Sequence, residues 1–252
     1  GLFRSDDLTR VSPLPKRSKM NPCARHFGHQ VWVHTGRRHG RHPRSTNALT
    51  LPSTGPLAGV RILDLSTVVL GPYATQLLGD MGADVVKVER PGVGDDTRHW
   101  GPPFLKDAQG ADTMQATYFT ACNRNKRSIT IDMARPEGQA LIRRMAAQSD
   151  IVVENFKVGG LAKYGLDYAS IAAINPRIVY CSITGFGQTG PLASEPGYDF
   201  LAQGMSGFMA TTGPVGGSPT KAGVAISDYV TGLYAVIGIL SALRARDETG
   251  FG

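Results

Sequence analysis

Residues 60–89, VRILDLSTVVLGPYATQLLGDMGADVVKVE, contain the pattern that decides the fold class. The apolar run at 60–65 (VRILDL) predicts a buried strand. A helix is predicted over 73–81 (YATQLLGDM), opened by Gly71-Pro72, and a second strand over 84–89 (DVVKVE). A strand, a helix and another strand in succession are typical of a βαβ unit.

The same alternation continues along the rest of the chain. Further strands are predicted at 128–132, 150–154 and 177–183, further helices at 136–148 and 168–174, and a loop rich in Gly, Pro and Asp at 91–113. Strands that alternate with helices at this spacing form parallel sheets with helices on both faces. The predicted fold class is therefore α/β, with a parallel sheet flanked by helices.

The net charge of +7 does not come from the part of the chain that shows this alternation. Residues 1–53 contain ten Lys or Arg against two Asp, whereas residues 54–252 contain 17 basic and 18 acidic side chains. A nucleic-acid-binding domain carries its basic surface on the folded part. We therefore expect no nucleic-acid partner.

Residues 1–53 lack periodic apolar residues, and we interpret them as a basic extension, disordered or spurious, that contributes nothing to the fold. The domain is predicted to occupy residues 54–252. Five of the six histidines lie in the extension, which leaves a metal-binding arm open, although no spacing matches a metal site. Residues 20–52 are Arg-rich and contain no acid, so a transit peptide is also open. A cytoplasmic location is expected, with a mitochondrial one as the alternative.

Cysteine spacing and hydropathy exclude further classes of protein. Cys23, Cys122 and Cys181 are widely spaced and form no CxxC pair, so neither a zinc site nor a disulfide framework is indicated, and a reducing compartment fits best. The longest apolar stretch, at 233–243, is interrupted by Gly238 and is shorter than the roughly 18 residues of a membrane span. We expect a soluble protein with no bound metal and no membrane partner.

Two of the loops that follow predicted strands contain candidate binding residues, at the edge where parallel sheets bind ligands, namely the carboxyl ends of their strands. The loop at 66–72 lacks GxGxxG, so a dinucleotide is only weakly indicated. Arg90 can hold a phosphate, and Asn155 with Phe156 can hydrogen-bond and stack on an adenine. A solvated arginine and a plain helix-entry turn are the alternatives.

Two later features concern chemistry rather than binding. The loop at 184–191 (TGFGQTGP) contains three glycines, which close approach of the backbone to a ligand would explain. Asp228 then stands alone at the head of an apolar helix predicted over 229–243. An Asp at such a position is most often an N-cap, and a catalytic acid is the alternative. The residues by themselves indicate an α/β enzyme without a particular reaction.

Six ordered motifs together resemble family III CoA transferases, the group that includes formyl-CoA transferase and the carnitine CoA transferases. The resemblance extends from about Pro56 to Gly252. The motifs are LAGVRILDL at 57–65, GADVVKVERP at 82–91, NRNKRS at 123–128, VENF at 153–156, GFGQTGP at 185–191 and GYD at 197–199.

The resemblance implies a Rossmann-like large domain and a role for particular residues. Asp228 matches the aspartate that attacks the thioester, Arg90, Asn155 and Phe156 match the CoA-binding surface, and Lys163 stands where relatives often have a cation near the nucleotide phosphates. A carboxylate suits this role because it can form a mixed anhydride and then an aspartyl thioester with CoA. The partners implied are an acyl-CoA and a small carboxylic acid as substrates, with no permanently bound cofactor.

Two positions near the implied substrate separate members of this group. Val69 replaces a glutamine that formyl-CoA transferases often have, which disfavours formyl and oxalyl substrates. The closest alternative activity is that of an α-methylacyl-CoA racemase, but its histidine corresponds to Tyr198, and a tyrosine with an ordinary pKa near 10 is a poor base at neutral pH.

Family chains continue into a smaller domain, and their dimers interlock. We therefore expect an interlocked homodimer for the full-length protein, and an inactive CoA-binding fragment is a second alternative for the chain alone.

Overall fold

A five-stranded sheet forms the centre of the fold. The computed structural model describes residues 54–252, and the predicted basic extension at 1–53 lies outside them. In chain order the elements are β1 (Arg61–Asp64), α1 (Leu70–Asp80), β2 (Asp84–Glu89), β3 (Phe104–Lys106), β4 (Asp112–Ala116), α2 (Thr117–Asn123), β5 (Lys126–Thr130), α3 (Pro136–Ala146), β6 (Ile151–Glu154), α4 (Tyr168–Ile174), β7 (Val179–Ser182), α5 (Asp199–Met205) and α6 (Ile226–Thr249).

The strands of the main sheet are all parallel and lie in the order β5-β2-β1-β6-β7. Leu63 in β1 pairs with Val86 on one side and with Val152 on the other. The chain therefore builds one half of the sheet outward from β1 and then returns to build the other half. The predicted class, α/β with a parallel sheet flanked by helices, is confirmed.

Helices cover both faces of this sheet, since successive residues of the central strands β1 and β6 are buried whichever face they point to. On one face α1 and α6 pack on apolar side chains that include Ile62, Val85 and Val153. On the other face the apolar side chains of α3 and α4 pack on Leu63, Val88 and Val152. The loops that leave the carboxyl ends of the strands are thus held on a scaffold that is buried on both sides.

Several predicted boundaries were wrong. The first helix begins at Leu70 rather than Tyr73, and the last covers Ile226–Thr249 rather than 229–243. The predicted loop at 91–113 contains β3 and the first residues of β4, which form a small antiparallel sheet. Its strands are short and largely exposed, so they lack the apolar alternation by which a strand is predicted.

Helix α6 combines close packing with an exposed apolar surface. A Cβ on Gly232 would lie 2.9 Å from the Leu70 carbonyl oxygen, so the missing side chain lets α6 approach α1. By length and composition α6 could cross a membrane, with a mean hydropathy of 1.5 over an 18-residue window that is only 17% buried. Core helices of soluble proteins meet the same criterion, so the absence of a membrane partner stays a prediction.

Candidate functional site

A cleft of about 280 Å³ lies at the edge of the sheet where β1, β6 and β7 end. Its walls are the loops after these strands and the first turn of α6, and its lining comprises residues 67–70, 96, 155–158, 183–185, 193–198 and 228. The gap between β1 and β6 is the point where the strand order reverses, which is where open α/β sheets bind ligands. A cavity of about 260 Å³ lies where strands begin, between the sheet and α3, and ligand binding is less common there.

Asp228 is the acid at the head of α6, and its carboxylate lines the cleft. It is the third residue of the helix, whose N-cap is Ala225, so the N-cap interpretation was wrong. Partial burial and then the nearby Asp199 carboxylate raise the pKa of Asp228 to about 6. The group is therefore mostly ionised at neutral pH but more basic than an ordinary aspartate, as suits a nucleophilic carboxylate.

Side chains hold the backbone of the loop after β1 in place. The Ser66 N–H donates to Asp64 Oδ1 at 3.0 Å, and the Val68 N–H donates to Asp95 Oδ2 at 3.2 Å. Asn155 binds both sides of Thr67, accepting its N–H at 2.9 Å and donating to its carbonyl oxygen at 2.8 Å. These hydrogen bonds matter because Val68, between them, has a φ of 70°. This left-handed conformation is costly for a β-branched residue.

Two buried ion pairs lie beneath this loop. Lys87 Nζ contacts Asp95 Oδ2 at 2.9 Å and donates to the Ser66 carbonyl oxygen at 2.7 Å, and Lys126 Nζ contacts Asp64 Oδ2 at 3.0 Å. Burial favours a raised pKa for Asp64, but the charges of Lys126 and Lys87 together with hydrogen bonds from Ser66 and Thr75 lower that pKa to about 2. Neither pair was predicted from the sequence, because a lysine in a strand gives no signal that it is buried.

The first glycine of the loop after β7, Gly185, packs against another segment of the chain. A Cβ on Gly185 would lie 2.4 Å from the Gly197 Cα, so these two backbones touch. Contact with Gly197 therefore accounts for the glycine at 185, and close approach of the loop backbone to a ligand stays a prediction. Thr184, the neighbour of Gly185, also lines the cleft, and its buried Oγ1 has no hydrogen-bond partner within residues 54–252. That hydroxyl is therefore a buried polar group without a partner in the wall of the cleft.

The predicted site residues lie in or near the cleft with one exception. Phe156 lines the cleft and is partly buried on the core, and Val69 lines it with only 1% of its surface exposed. Tyr198 lines the cleft and is 74% exposed. Arg90 is at the rim, exposed and paired with Asp96.

Lys163 is the exception. It is not among the residues that line the cleft, and its ammonium lies 4.8 Å from the ring centre of Tyr164.

The cleft also contains charged residues that the sequence did not indicate. Asp96, Lys157 and Glu195 line it but lie in segments where a charged side chain is ordinarily solvated. Within residues 54–252 there is no cluster of three or more His, Cys, Asp or Glu that could hold a metal ion. The chemistry that this arrangement offers centres on the Asp228 carboxylate, whose pKa is raised, beside backbone and hydroxyl groups.

The parallel sheet and its cleft define an α/β protein with a ligand site at the topological switch point and a carboxylate within it. Residues 57–252 match CoA-transferase family III, and the chain belongs to this family. It is 56% identical over 197 residues to the succinate–glutarate CoA-transferase of Agrobacterium fabrum, which covers 78% of this chain and 49% of that protein. It is 50% identical over 197 residues to the human succinyl-CoA:glutarate CoA-transferase, covering 78% and 43%.

A solved structure agrees with these relatives. The crystal structure of a CaiB/BaiF family protein from Brucella suis superposes with a TM-score of 0.75 at 56% identity, covering 79% of this chain and 51% of that one. The chain thus spans about half the length of the curated relatives it matches.

Proposed function

We propose that the protein containing this chain transfers coenzyme A from an acyl-CoA to a free carboxylic acid, with Asp228 as the nucleophile. The observation that carries the proposal is the Asp228 carboxylate in the cleft, with a pKa raised to about 6. Membership of CoA-transferase family III supports it. Within residues 54–252 no histidine lines the cleft for a racemase-type proton transfer, and Tyr198 stands at the matching position.

The reaction follows from carboxylate chemistry. The Asp228 carboxylate attacks the thioester carbonyl carbon, the C–S bond breaks, and the CoA thiolate departs. The product is a mixed anhydride between Asp228 and the donor acyl group. The thiolate then attacks the Asp228 carbonyl carbon, which releases the donor acid and forms an aspartyl thioester. An incoming carboxylate attacks that thioester, which releases the CoA thiolate and forms a second mixed anhydride. The thiolate then attacks the carbonyl carbon of the incoming acid, which forms the new acyl-CoA and frees the Asp228 carboxylate. No net proton or electron is consumed.

For the substrates we propose a C4 donor and a C5 dicarboxylic acid acceptor. Relatives 50–56% identical to this chain are named for succinate, succinyl-CoA and glutarate. The CoA moiety is proposed to lie along Phe156 and Asn155, with a phosphate near Arg90. Asn155 keeps one N–H for this contact, because its oxygen and its other N–H bind Thr67. Lys163 would contribute only at the periphery.

The test uses the full-length protein and its Asp228→Asn variant. Wild type should transfer CoA from succinyl-CoA to glutarate faster than to formate or oxalate, and the variant should lose transfer by about 10³-fold or more while CoA binding persists. Trapping with hydroxylamine or borohydride during turnover should modify Asp228. Substantial turnover by Asp228→Asn, or modification at Asp199 instead, would contradict the assignment.

We further propose that the full-length protein is a homodimer and is cytoplasmic. The dimer is supported by the exposed apolar side chains of α5 and α6. A large contiguous apolar patch is uncommon on the surface of a monomer. These side chains are Phe200, Leu201, Met205, Val230, Leu233, Tyr234 and Ile237. The near-neutral charge of residues 54–252 and the free Cys122 and Cys181 support the location.

Light scattering on the full-length protein tests the dimer. Leu233→Lys with Ile237→Lys should lower the molar mass to that of a monomer, and Ile174→Lys, an equally exposed apolar residue on α4, should leave it unchanged. A monomeric wild type, or a wild type that sediments with lipid vesicles through α6, would contradict the proposal.

A further inference from the structure

Helix α6 begins without a capping side chain of its own. Its N-cap is Ala225, which has no side-chain oxygen that could accept from the free N–H groups of the first turn. The Ser227 N–H instead donates to Asp199 Oδ1 at 2.8 Å, although Asp199 belongs to α5. The Ser227 hydroxyl donates to the same oxygen and to the Asp199 carbonyl oxygen at 3.1 Å. One carboxylate thus fixes the residue immediately before Asp228.

A second set of hydrogen bonds fixes Asp199 itself. Its Oδ2 accepts from Gln203 Nε2 at 2.6 Å, and Gln203 Oε1 accepts the Ala222 N–H at 2.8 Å. Gln203 is almost fully buried, so this link is shielded from water. The carboxylate therefore joins α5 to both the first turn of α6 and the segment that leads into it, and both of its oxygens are occupied.

The neighbourhood of Asp228 makes the Asp199 charge important. Burial is the larger cause of the raised pKa of Asp228, and the charge of Asp199 is the second cause. The other titratable groups around Asp228 are the Tyr118 and Cys122 side chains on α2, Tyr73 on α1 and Tyr229 on α6, together with Asp96, Lys157, Glu195 and Tyr198 in the cleft. None of these other groups contributes to the raised pKa of Asp228, so none of them replaces the effect of Asp199.

We propose that Asp199 is a positioning residue that holds the Asp228 carboxylate for attack by capping α6 from α5. The inference rests on the proposed function, because it assigns a role toward the Asp228 nucleophile. An acid at the start of a helix ordinarily accepts from N–H groups of its own first turn, whereas the Asp199 carboxylate binds the first turn of a different helix. Capping fixes where the nucleophile lies, and the adjacent negative charge keeps it basic.

The experiment measures kcat and KM of full-length variants from pH 5 to pH 9. Asp199→Asn keeps an acceptor for Ser227 but removes the charge, so the acid limb of kcat should move to lower pH by about half a unit or more. Asp199→Ala removes both, so kcat should also fall by about 10²-fold on the alkaline plateau, with KM for acyl-CoA changed less than about threefold. Asp247→Asn, an exposed charge about 28 Å further along α6, is the matched control and should match wild type.

Each result decides for or against this role. An Asp199→Asn variant whose acid limb is that of wild type would overturn it, even if Asp199→Ala were slow, because a merely structural residue changes kcat without moving the limb. If Asp199→Ala does not fold, as judged by circular dichroism, Asp199→Asn alone decides. Failure of the proposed function is distinguishable, because it would appear as turnover by Asp228→Asn, whereas this inference fails with Asp228→Asn inactive.

Discussion

Asp228→Asn should make the folded protein more stable at pH 8 while it abolishes transfer. Burial and the Asp199 charge raise the pKa of Asp228 to about 6 in the fold, above the ordinary value of 3.8 that applies to the unfolded chain. The ionised carboxylate therefore destabilises the fold at alkaline pH. The penalty builds up between about pH 4 and pH 6, is constant above, and is absent below about pH 4, where the group is protonated in both states.

The magnitude follows from the size of this pKa difference. At about 1.4 kcal/mol per pKa unit, the upper bound is about 3 kcal/mol. Asp228 is only partly buried, and solvent screening reduces this to about 1–2 kcal/mol. The neutral amide of Asn has nearly the same shape and does not carry the penalty, so the variant should gain about that much at pH 8.

Urea denaturation of wild type and variant at pH 8 and pH 4 measures the effect. Asp247→Asn on the exposed end of α6 is the control and should change the free energy of unfolding by less than about 0.5 kcal/mol. The reasoning is refuted if Asp228→Asn is no more stable than wild type at pH 8, or if its gain at pH 4 equals its gain at pH 8.

Three further substitutions test the scaffold and the binding surface. Lys87→Met should lower the free energy of unfolding by about 3–5 kcal/mol because it leaves a buried carboxylate unpaired, whereas Lys106→Met in an exposed pair should cost less than about 1 kcal/mol, both by urea denaturation. Gly185→Ala should reduce kcat at least about tenfold in the transfer assay, since its methyl group would displace the segment that leads to Tyr198. Arg90→Ala should weaken CoA binding by roughly tenfold in calorimetry, and unchanged affinity would remove this contact.

The sequence was sufficient for the scaffold because the scaffold depends on local patterns. The strand at Asp84–Glu89 and the helix at Tyr168–Ile174 were predicted with the observed bounds, since each is an apolar or amphipathic run between breakers. The carboxyl ends of parallel strands lie at one edge, so the loops with Asn155 and Phe156 were also expected near the loop after β1. Asp228 was identified through its family motif rather than from its surroundings.

The remaining features depend on contacts between distant parts of the chain, which no local pattern encodes. Asn155 binds the backbone of Thr67, 88 residues away, and Asp199 binds Ser227, 28 residues away. An amide after a strand looks the same in the sequence whether it faces a ligand or a neighbouring loop. Lys87 lies within an apolar run, and its burial is possible only because Asp95 returns to it from the following loop.

The Val68 conformation shows how the sheet itself sets the shape of the cleft. A β-branched residue at a φ of 70° costs about 1–3 kcal/mol, so it persists only where its surroundings determine it. The groups that do so come from both strands beside β1, with Lys87 on β2 binding the Ser66 carbonyl and Asn155 after β6 binding Thr67. Because β1 lies between β2 and β6, both partners are placed by the strand order. The wall of the cleft that the loop after β1 forms is therefore fixed by the same topology that creates the switch point.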